Sequence, residues 1–210
     1  MKLHNYWRSS ASWRVRIALE LKNAPFDYVP VHLVDGGGWQ YRDQYRTLNP
    51  MAQVPTLELG DDRSLSQSLA IIEYLEETIP SPALLPKDPY LRARARQLAE
   101  IVNAGIQPLQ NLAVFTEVKR LGGDTKAWAQ LFIDRGLRAL EASAQKTTGT
   151  FLVGDSPTIA DICLVPQLYN ARRFEIELTP FPTLTRIEAE CAKIDAFARA
   201  HADRQPDATP

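Results

Sequence analysis

Residues 2–33 read KLHNYWRSSASWRVRIALELKNAPFDYVPVHL, and the order of patterns in this stretch decides the architecture. Lys2–Tyr6 looks like a short strand. From about Ser10 to Lys22, Trp13, Ile17, Ala18 and Leu21 recur at helical spacing between arginines and a glutamate. Asn23-Ala24-Pro25 ends that helix, and Phe26–Leu33, rich in valine and aromatic side chains, reads as a second strand. A β-α-β unit therefore opens the protein.

Working outward, Gly36-Gly37-Gly38 starts what reads as a mobile loop. Val54–Leu59 then reads as a strand, Gly60-Asp61-Asp62 as a tight turn, and Ser64-Leu65 as a short return strand. Ser68, Ile71, Ile72 and Leu75 fall at i, i+3, i+4 and i+7, which turns one helix face to the sheet and leaves Glu73, Glu76 and Glu77 to water. The first unit is β-α-β-β-β-α or close to it. Pro80, Pro82, Pro86 and Pro89 forbid a continuous helix, so a domain boundary is expected here, between residues 1–80 and 89–210.

Beyond the boundary strand signals vanish. Leu91, Ala95, Leu98, Val102 and Gly105 keep one helical face, and Trp128, Leu131, Phe132, Gly136 and Leu140 another, so the second domain should be all helix. Thr158-Ile159-Ala160-Asp161 has capping-box spacing after the turn Gly154–Pro157, a cap worth ~1 kcal/mol. The polar tail from Ala202 to Pro210 is expected to be loose.

Composition narrows the class. With 45% apolar and 23% charged residues in a chain of 210, a sizeable core is available without staples. No stretch approaches the roughly 18 apolar residues of a membrane span, and the N-terminus runs into a strand without a signal region, so a cytoplasmic protein off the membrane is expected. Cys163 and Cys191, far apart and outside any Cys-x-x-Cys pair, give neither a disulfide framework nor a metal site. A net charge of −1 without a long basic run offers nucleic acid no foothold.

Three segments could carry chemistry. At Arg8-Ser9-Ser10-Ala11-Ser12 a strand hands over to a helix, and unpaired N–H groups with the positive dipole end favour an anion, a thiolate included. The plainer reading is that Ser9 or Ser10 caps the helix, and the two uses are compatible. At Gln53-Val54-Pro55 a cis peptide would present the Val54 N–H and C=O as a free strand edge; a strand-initiating proline is the ordinary alternative. Ser66-Gln67-Ser68 offers a second helix start suited to a carboxylate, or simply a cap by Ser66 or Ser68. In the helical half, Pro108 should kink a long helix between Gln107 and Gln110-Asn111, and amides beside a kink can face a cleft or merely water. Arg172 and Arg173 read most simply as a solvated charged face.

Ser9-Ser10-Ala11-Ser12-Trp13-Arg14-Val15-Arg16-Ile17-Ala18-Leu19 resembles the Ser-Ser-Cys-x-x-Arg-Val-Arg-Ile-Ala-Leu signature of zeta-class glutathione transferases. Leu48-Asn49-Pro50-Met51, Gln53–Leu57, Gln67–Glu77, Ile106–Asn111, Asp161–Gln167, Arg173-Phe174 and Leu178-Thr179-Pro180 extend the likeness over nearly the whole chain. The resemblance implies an α/β thioredoxin-like N-terminal domain, an all-α C-terminal domain, glutathione as cofactor, and a homodimer. It implies that Val54-Pro55 is the cis turn whose valine pairs with the cysteinyl part of glutathione. Gln67 and Ser68 would then hold the γ-glutamyl end and Gln40 the glycyl side, with Gln107 and Asn111 lining the site. Ser9, with Ser10 beside it, would activate the sulfur, and Ala11 stands where the signature has cysteine, so no protein thiol lies next to that of the cofactor.

The activity implied is cis-trans isomerisation of maleylacetoacetate to fumarylacetoacetate by reversible addition of the glutathione thiolate. Such a small, doubly anionic maleyl substrate calls for cationic clamps, for which Arg8 and Arg173 are the candidates, ahead of Arg172. Maleylpyruvate isomerisation uses the same chemistry on a shorter acid. A non-catalytic binding module with a transferase fold is the reading from a different class, and the joint presence of Ser9-Ser10, Val54-Pro55 and Gln67-Ser68 weighs against it.

Overall fold

The computed structural model describes residues 1–209. β1 (Lys2–Asn5), α1 (Ser10–Leu21) and β2 (Asp27–Pro30) form the opening β-α-β unit, with β1 and β2 parallel. β2 is shorter than its apolar run because its partner ends at Asn5; the Val31 N–H closes the ladder on the Asn5 carbonyl at 2.7 Å. The glycine stretch forms a 3-10 turn, Asp35–Gly37, followed by a second, Trp39–Tyr41. Gly36, Gly37 and Gly38 have φ of +56°, +85° and +97°, a run of left-handed residues that only glycine adopts cheaply. α2 (Asp43–Leu48), unforeseen in the sequence, follows; it buries only Tyr45 and is too short to show a period.

β3 (Thr56–Gly60) and β4 (Arg63–Ser66) make the hairpin, with Asp61 and Asp62 both left-handed at its tip. The sheet order is β2-β1-β3-β4, and β3 is antiparallel to both its neighbours, which sets Leu57 opposite Leu3 and Leu65. α3 (Ser68–Thr78) packs on α1 through Ile71, Ile72 and Leu75, all without exposure. Glu76 does not face water as expected. It lies one turn after Ile72 on the buried side and pairs with Lys22 at 2.6 Å. Lys22 Nζ also donates to the carbonyls of Ile79 and Pro82, at 2.6 and 2.7 Å.

The chain divides into two compact units, Met1–Pro82 with the chain from Asp195 onward, and Ala83–Ile194. The return of the C-terminal segment departs from the contiguous 89–210 division and from the loose tail expected of it. α9 (Asp195–Arg199) packs on α1, a 3-10 turn covers Ala202–Arg204, and Asp207 accepts hydrogen bonds from the Trp7 N–H and the Tyr28 hydroxyl. Pro210 lies outside the described residues.

In the second unit every regular element is a helix: α4 (Pro89–Asn103), α5 (Leu112–Arg120), α6 (Thr125–Ala144), α7 (Ile159–Arg173) and α8 (Pro182–Ala192). α4 packs on α6 and α7, and α8 on both of those. The α6 stripe is Ala129, Ile133, Gly136, Leu137 and Leu140; Leu131, assigned to it from the sequence, is 62% exposed. Gly136 is there because a Cβ would lie 2.2 Å from Ile106. Thr158 and Asp161 form the expected capping box on α7. The α8 start is capped from a distance, its Thr183 and Leu184 N–H groups donating to the Glu141 carboxylate at 3.1 Å. No helix of the described residues is long and apolar enough to cross a membrane.

Candidate active site

The turn between β1 and α1 is built around Ser9. Its N–H donates to the Tyr6 carbonyl at 3.0 Å, its backbone is extended, and its Oγ accepts the Ser12 N–H at 3.2 Å, so of the two candidates Ser9 is the helix cap. Capping occupies a lone pair and leaves the hydroxyl hydrogen to donate elsewhere. The first turn of α1 carries no acidic side chain, so nothing on the helix neutralises its positive end. Ser10 is buried in that turn, Ala11 is half-buried, and the half-buried Arg8 lies over the Trp7 ring at 5.3 Å.

A second segment, the start of α3, meets this turn's helix. Arg14, fully buried in α1, donates Nη1 to the Ser68 hydroxyl at 3.3 Å and so couples the α1 and α3 starts. Neither Ser66 nor Ser68 caps α3. Gln67 occupies the cap position without a side-chain cap bond, at φ 72° and ψ 114°. A left-handed residue other than glycine costs of order 1–3 kcal/mol and persists where surrounding structure imposes it, often at ligand clamps. The Val54-Pro55 bond is cis, and the Val54 N–H and C=O take no part in the turn and loop hydrogen bonds of the described residues. The preceding Gln53 carbonyl is fixed by the Tyr45 hydroxyl at 2.6 Å and the Asn49 amide at 2.7 Å. Burial raises the Tyr45 pKa, keeping the phenol a donor.

Gln40 is buried and turned into its own loop, its amide donating to the Leu33 carbonyl at 3.2 Å while Oε1 has no partner. In the helical unit the expected kink at Pro108 is a break. α4 stops at Asn103, and Pro108 stands in the first turn of a 3-10 segment, Gln107–Gln110, where a missing N–H costs nothing. Gln107 opens that segment and Asn111 caps α5, accepting the Ala113 N–H at 3.1 Å. Arg172 forms a two-pronged pair with Glu188, while Arg173 bonds Asn170 Oδ1 at 3.0 Å and remains exposed at the α7 end. A cavity of about 540 Å³ between α5 and α6, walled by Val114, Val118, Leu121 and Trp128, contains none of the nominated residues.

The chain matches the family model for the glutathione S-transferase N-terminal domain over residues 8–78, and that for the glutathione S-transferase C-terminal domain over residues 125–200. The chain belongs to the glutathione S-transferase family. This transferase-family chain is 48% identical to the maleylacetoacetate isomerase of Mus musculus, over 98% of its own length and 94% of the mouse protein. It also resembles a holo maleylpyruvate isomerase, a bacterial zeta-class glutathione transferase, with a TM-score of 0.94 and 44% identity over the full length of both chains. The maleylacetoacetate isomerase of Anaeromyxobacter dehalogenans with bound glutathione superposes with a TM-score of 0.90 at 50% identity, over 99% of this chain and 97% of the other.

Sequence reading missed Arg14 and Arg16 as buried bonding centres and Asp207 as a partner of the first unit. Two arginines at i and i+2 inside an apolar helix were the available signal for the first pair. A single acid in a polar tail gave none.

Proposed function

We propose that the protein is a glutathione-dependent cis-trans isomerase converting maleylacetoacetate to fumarylacetoacetate, acting as a cytoplasmic homodimer in aromatic amino acid catabolism. The observation that carries this reading is the 48% identity to the mouse isomerase along nearly the whole of both chains. The donor set fits a thiol tripeptide: a serine O–H at a bare helix end, backbone groups at Val54, and an α3 start without a side-chain cap. Glutathione supplies the nucleophile, a thiolate whose reversible addition makes the cis double bond single so that it can rotate.

Ser9 donates its hydroxyl to the sulfur and, with the α1 start, holds it as the anion. Ser10 and Ala11 form the adjoining wall. Val54 pairs as a strand edge with the cysteinyl segment, while Gln67 and Ser68 take the γ-glutamyl carboxylate at the α3 start. Gln40 serves the glycyl side, which requires its amide to turn outward from Leu33. Gln107 and Asn111 line the site from the helical unit. Arg8 and Arg173 hold the two anionic ends of the substrate, since a guanidinium matches a carboxylate with two parallel bonds.

Maleylpyruvate is the second reading, favoured by the likeness to the zeta-class maleylpyruvate isomerase over both full chains. Purified protein assayed with each acid, with and without glutathione, tests both. Glutathione-dependent turnover of maleylacetoacetate at the higher kcat/KM is expected. Faster turnover of maleylpyruvate installs the alternative, and no turnover of either leaves a binding module. Sedimentation at micromolar concentration checks the dimer.

A further inference from the structure

The turn that carries Ser9 lies beyond the end of β1, and its backbone is held from outside the sheet. Arg16, 1% exposed, reaches it from α1: Nη1 donates to the Tyr6 carbonyl at 3.3 Å and to Asn5 Oδ1 at 2.9 Å, and Nη2 to the Trp7 carbonyl at 2.7 Å. The Tyr6 carbonyl is the same one that receives the Ser9 N–H. The fourth Arg16 bond, from Nε at 3.2 Å, goes to the Ala200 carbonyl in the returning C-terminal segment.

That segment then closes on the turn a second time. Asp207 Oδ2 accepts the Trp7 N–H at 3.2 Å, and Oδ1 accepts the Tyr28 hydroxyl from β2. Both backbone groups of Trp7 are thus fixed, the carbonyl by Arg16 and the N–H by Asp207. Between its two anchors the segment is stiffened by its own bonds: Gln205 Nε2 donates to the Arg199 and His201 carbonyls at 2.9 and 2.8 Å. His201 stacks edge-on against Trp13, one turn into α1, at 4.8 Å. A turn so held cannot shift without breaking the buried, charge-assisted Arg16 bonds and the part-buried ones of Asp207.

We infer that Asp207 is a positioning residue: with Arg16 it straps residues 200–207 to the Tyr6–Arg8 turn and so fixes the Ser9 hydroxyl on the thiol of bound glutathione. The inference rests on the reading of Ser9 as the thiolate donor. Misplacing a catalytic donor by about an ångström costs on the order of a hundredfold, so a strap with no contact to substrate governs rate through geometry alone.

A double-mutant cycle tests it in the full-length protein. Wild type, Ser9→Ala, Asp207→Ala and the double variant are compared in kcat, in KM for the maleyl substrate, and in the pH midpoint of bound-glutathione thiolate absorbance. Asp207→Ala is expected to lower kcat about tenfold and to move the midpoint toward that of free glutathione; KM for the maleyl acid also rises, because Arg8 lies in the same turn. In the Ser9→Ala background the Asp207 effect on kcat and on the midpoint should disappear, which a merely structural role would not produce. Equal losses in both backgrounds overturn the positioning role, as do wild-type kcat and midpoint in Asp207→Ala. If Ser9→Ala itself leaves kcat and midpoint unchanged, the reading of Ser9 falls and the strap's purpose with it, an outcome distinct from failure of the strap alone. Should Asp207→Ala not fold, Asp207→Asn keeps one acceptor oxygen and an intermediate loss is expected; wild-type values in that variant also overturn the role.

Discussion

The Ser9 oxygen accepts the Ser12 N–H at 3.2 Å, and that bond decides what its hydrogen can do. With a lone pair committed to the cap, the O–H points away as a donor, so capping and anion binding use different parts of one hydroxyl. Ser9→Ala should lower turnover by about 10²–10³-fold, the usual cost of one donor to a catalytic anion, and should also cost about 1 kcal/mol of stability through the lost cap. Ser9→Gly separates the two: glycine caps nearly as well, so thermal stability stays close to wild type while turnover falls as in the alanine variant. Full turnover in both would move the role to Ser10 or to backbone N–H groups. Arg173 is the other residue on which the reading depends. Arg173→Met keeps the apolar stem and removes the fork, so KM for the maleyl acid should rise at least about tenfold while glutathione affinity and turnover of a neutral haloalkane hold. Equal losses on neutral and anionic substrates would make Arg173 structural. Of the candidate site, the Ser9 cap and the cis Val54-Pro55 bond were legible because each sits in a short contiguous motif. The left-handed Gln67 and the inward-turned Gln40 were not, since backbone conformation and side-chain direction depend on what packs around them.

At the level of elements, α3 could be read because it keeps an apolar stripe over three turns, and α1 from the spacing of Trp13, Ile17 and Ala18, although α1 is buried nearly all round, polar residues included. α2 could not, with six residues and one buried side chain, and β2 stopped where its partner strand stopped rather than where its valines did. Glu76 shows the limit of pattern reading: a charged residue one turn from Ile72 was assigned to solvent until Lys22, 54 positions away, proved to be its partner. The α7 start was read correctly, and its energetics can be tested. Asp161 is wholly buried, and burial pushes its carboxyl up to about 6 against the bonds from the Leu152 and Thr158 N–H groups and the Thr158 hydroxyl. A folded pKa above the unfolded one contributes stability that is full below about pH 4 and is lost as pH rises through about 6. Asp161→Asn has no titration there and offers one acceptor oxygen to three donors. It should be less stable than wild type by about 1–3 kcal/mol, with the gap in thermal midpoint widest near pH 4 and narrowing as pH rises through 6. A gap constant with pH would mean that Asp161 stays ionised throughout.

Across the whole molecule, the first stretch of the first unit ends at Pro82, among the four prolines of residues 80–89. What fastens that end was not visible. Lys22 gathers Glu76 and the carbonyls of Ile79 and Pro82 around one buried ammonium, so the C-terminus of α1, the last turn of α3 and the exit from the first unit share a single fastening. Lys22→Met should destabilise the protein by about 3–5 kcal/mol, seen as a lower urea midpoint, whereas Lys22→Arg should recover part of the loss. An unchanged midpoint in Lys22→Met would show that the pair contributes no net stability.

The C-terminal return also has a consequence for how the protein is made. Trp7 and Asp207 stand 200 positions apart, and both must be present before the turn between them is held from either side. A nascent chain that has folded its sheet and α1 still lacks the strap until translation has passed Asp207. On the proposed reading of Ser9 and Asp207, the turn would be set for a thiolate last, after the helical unit has been synthesised.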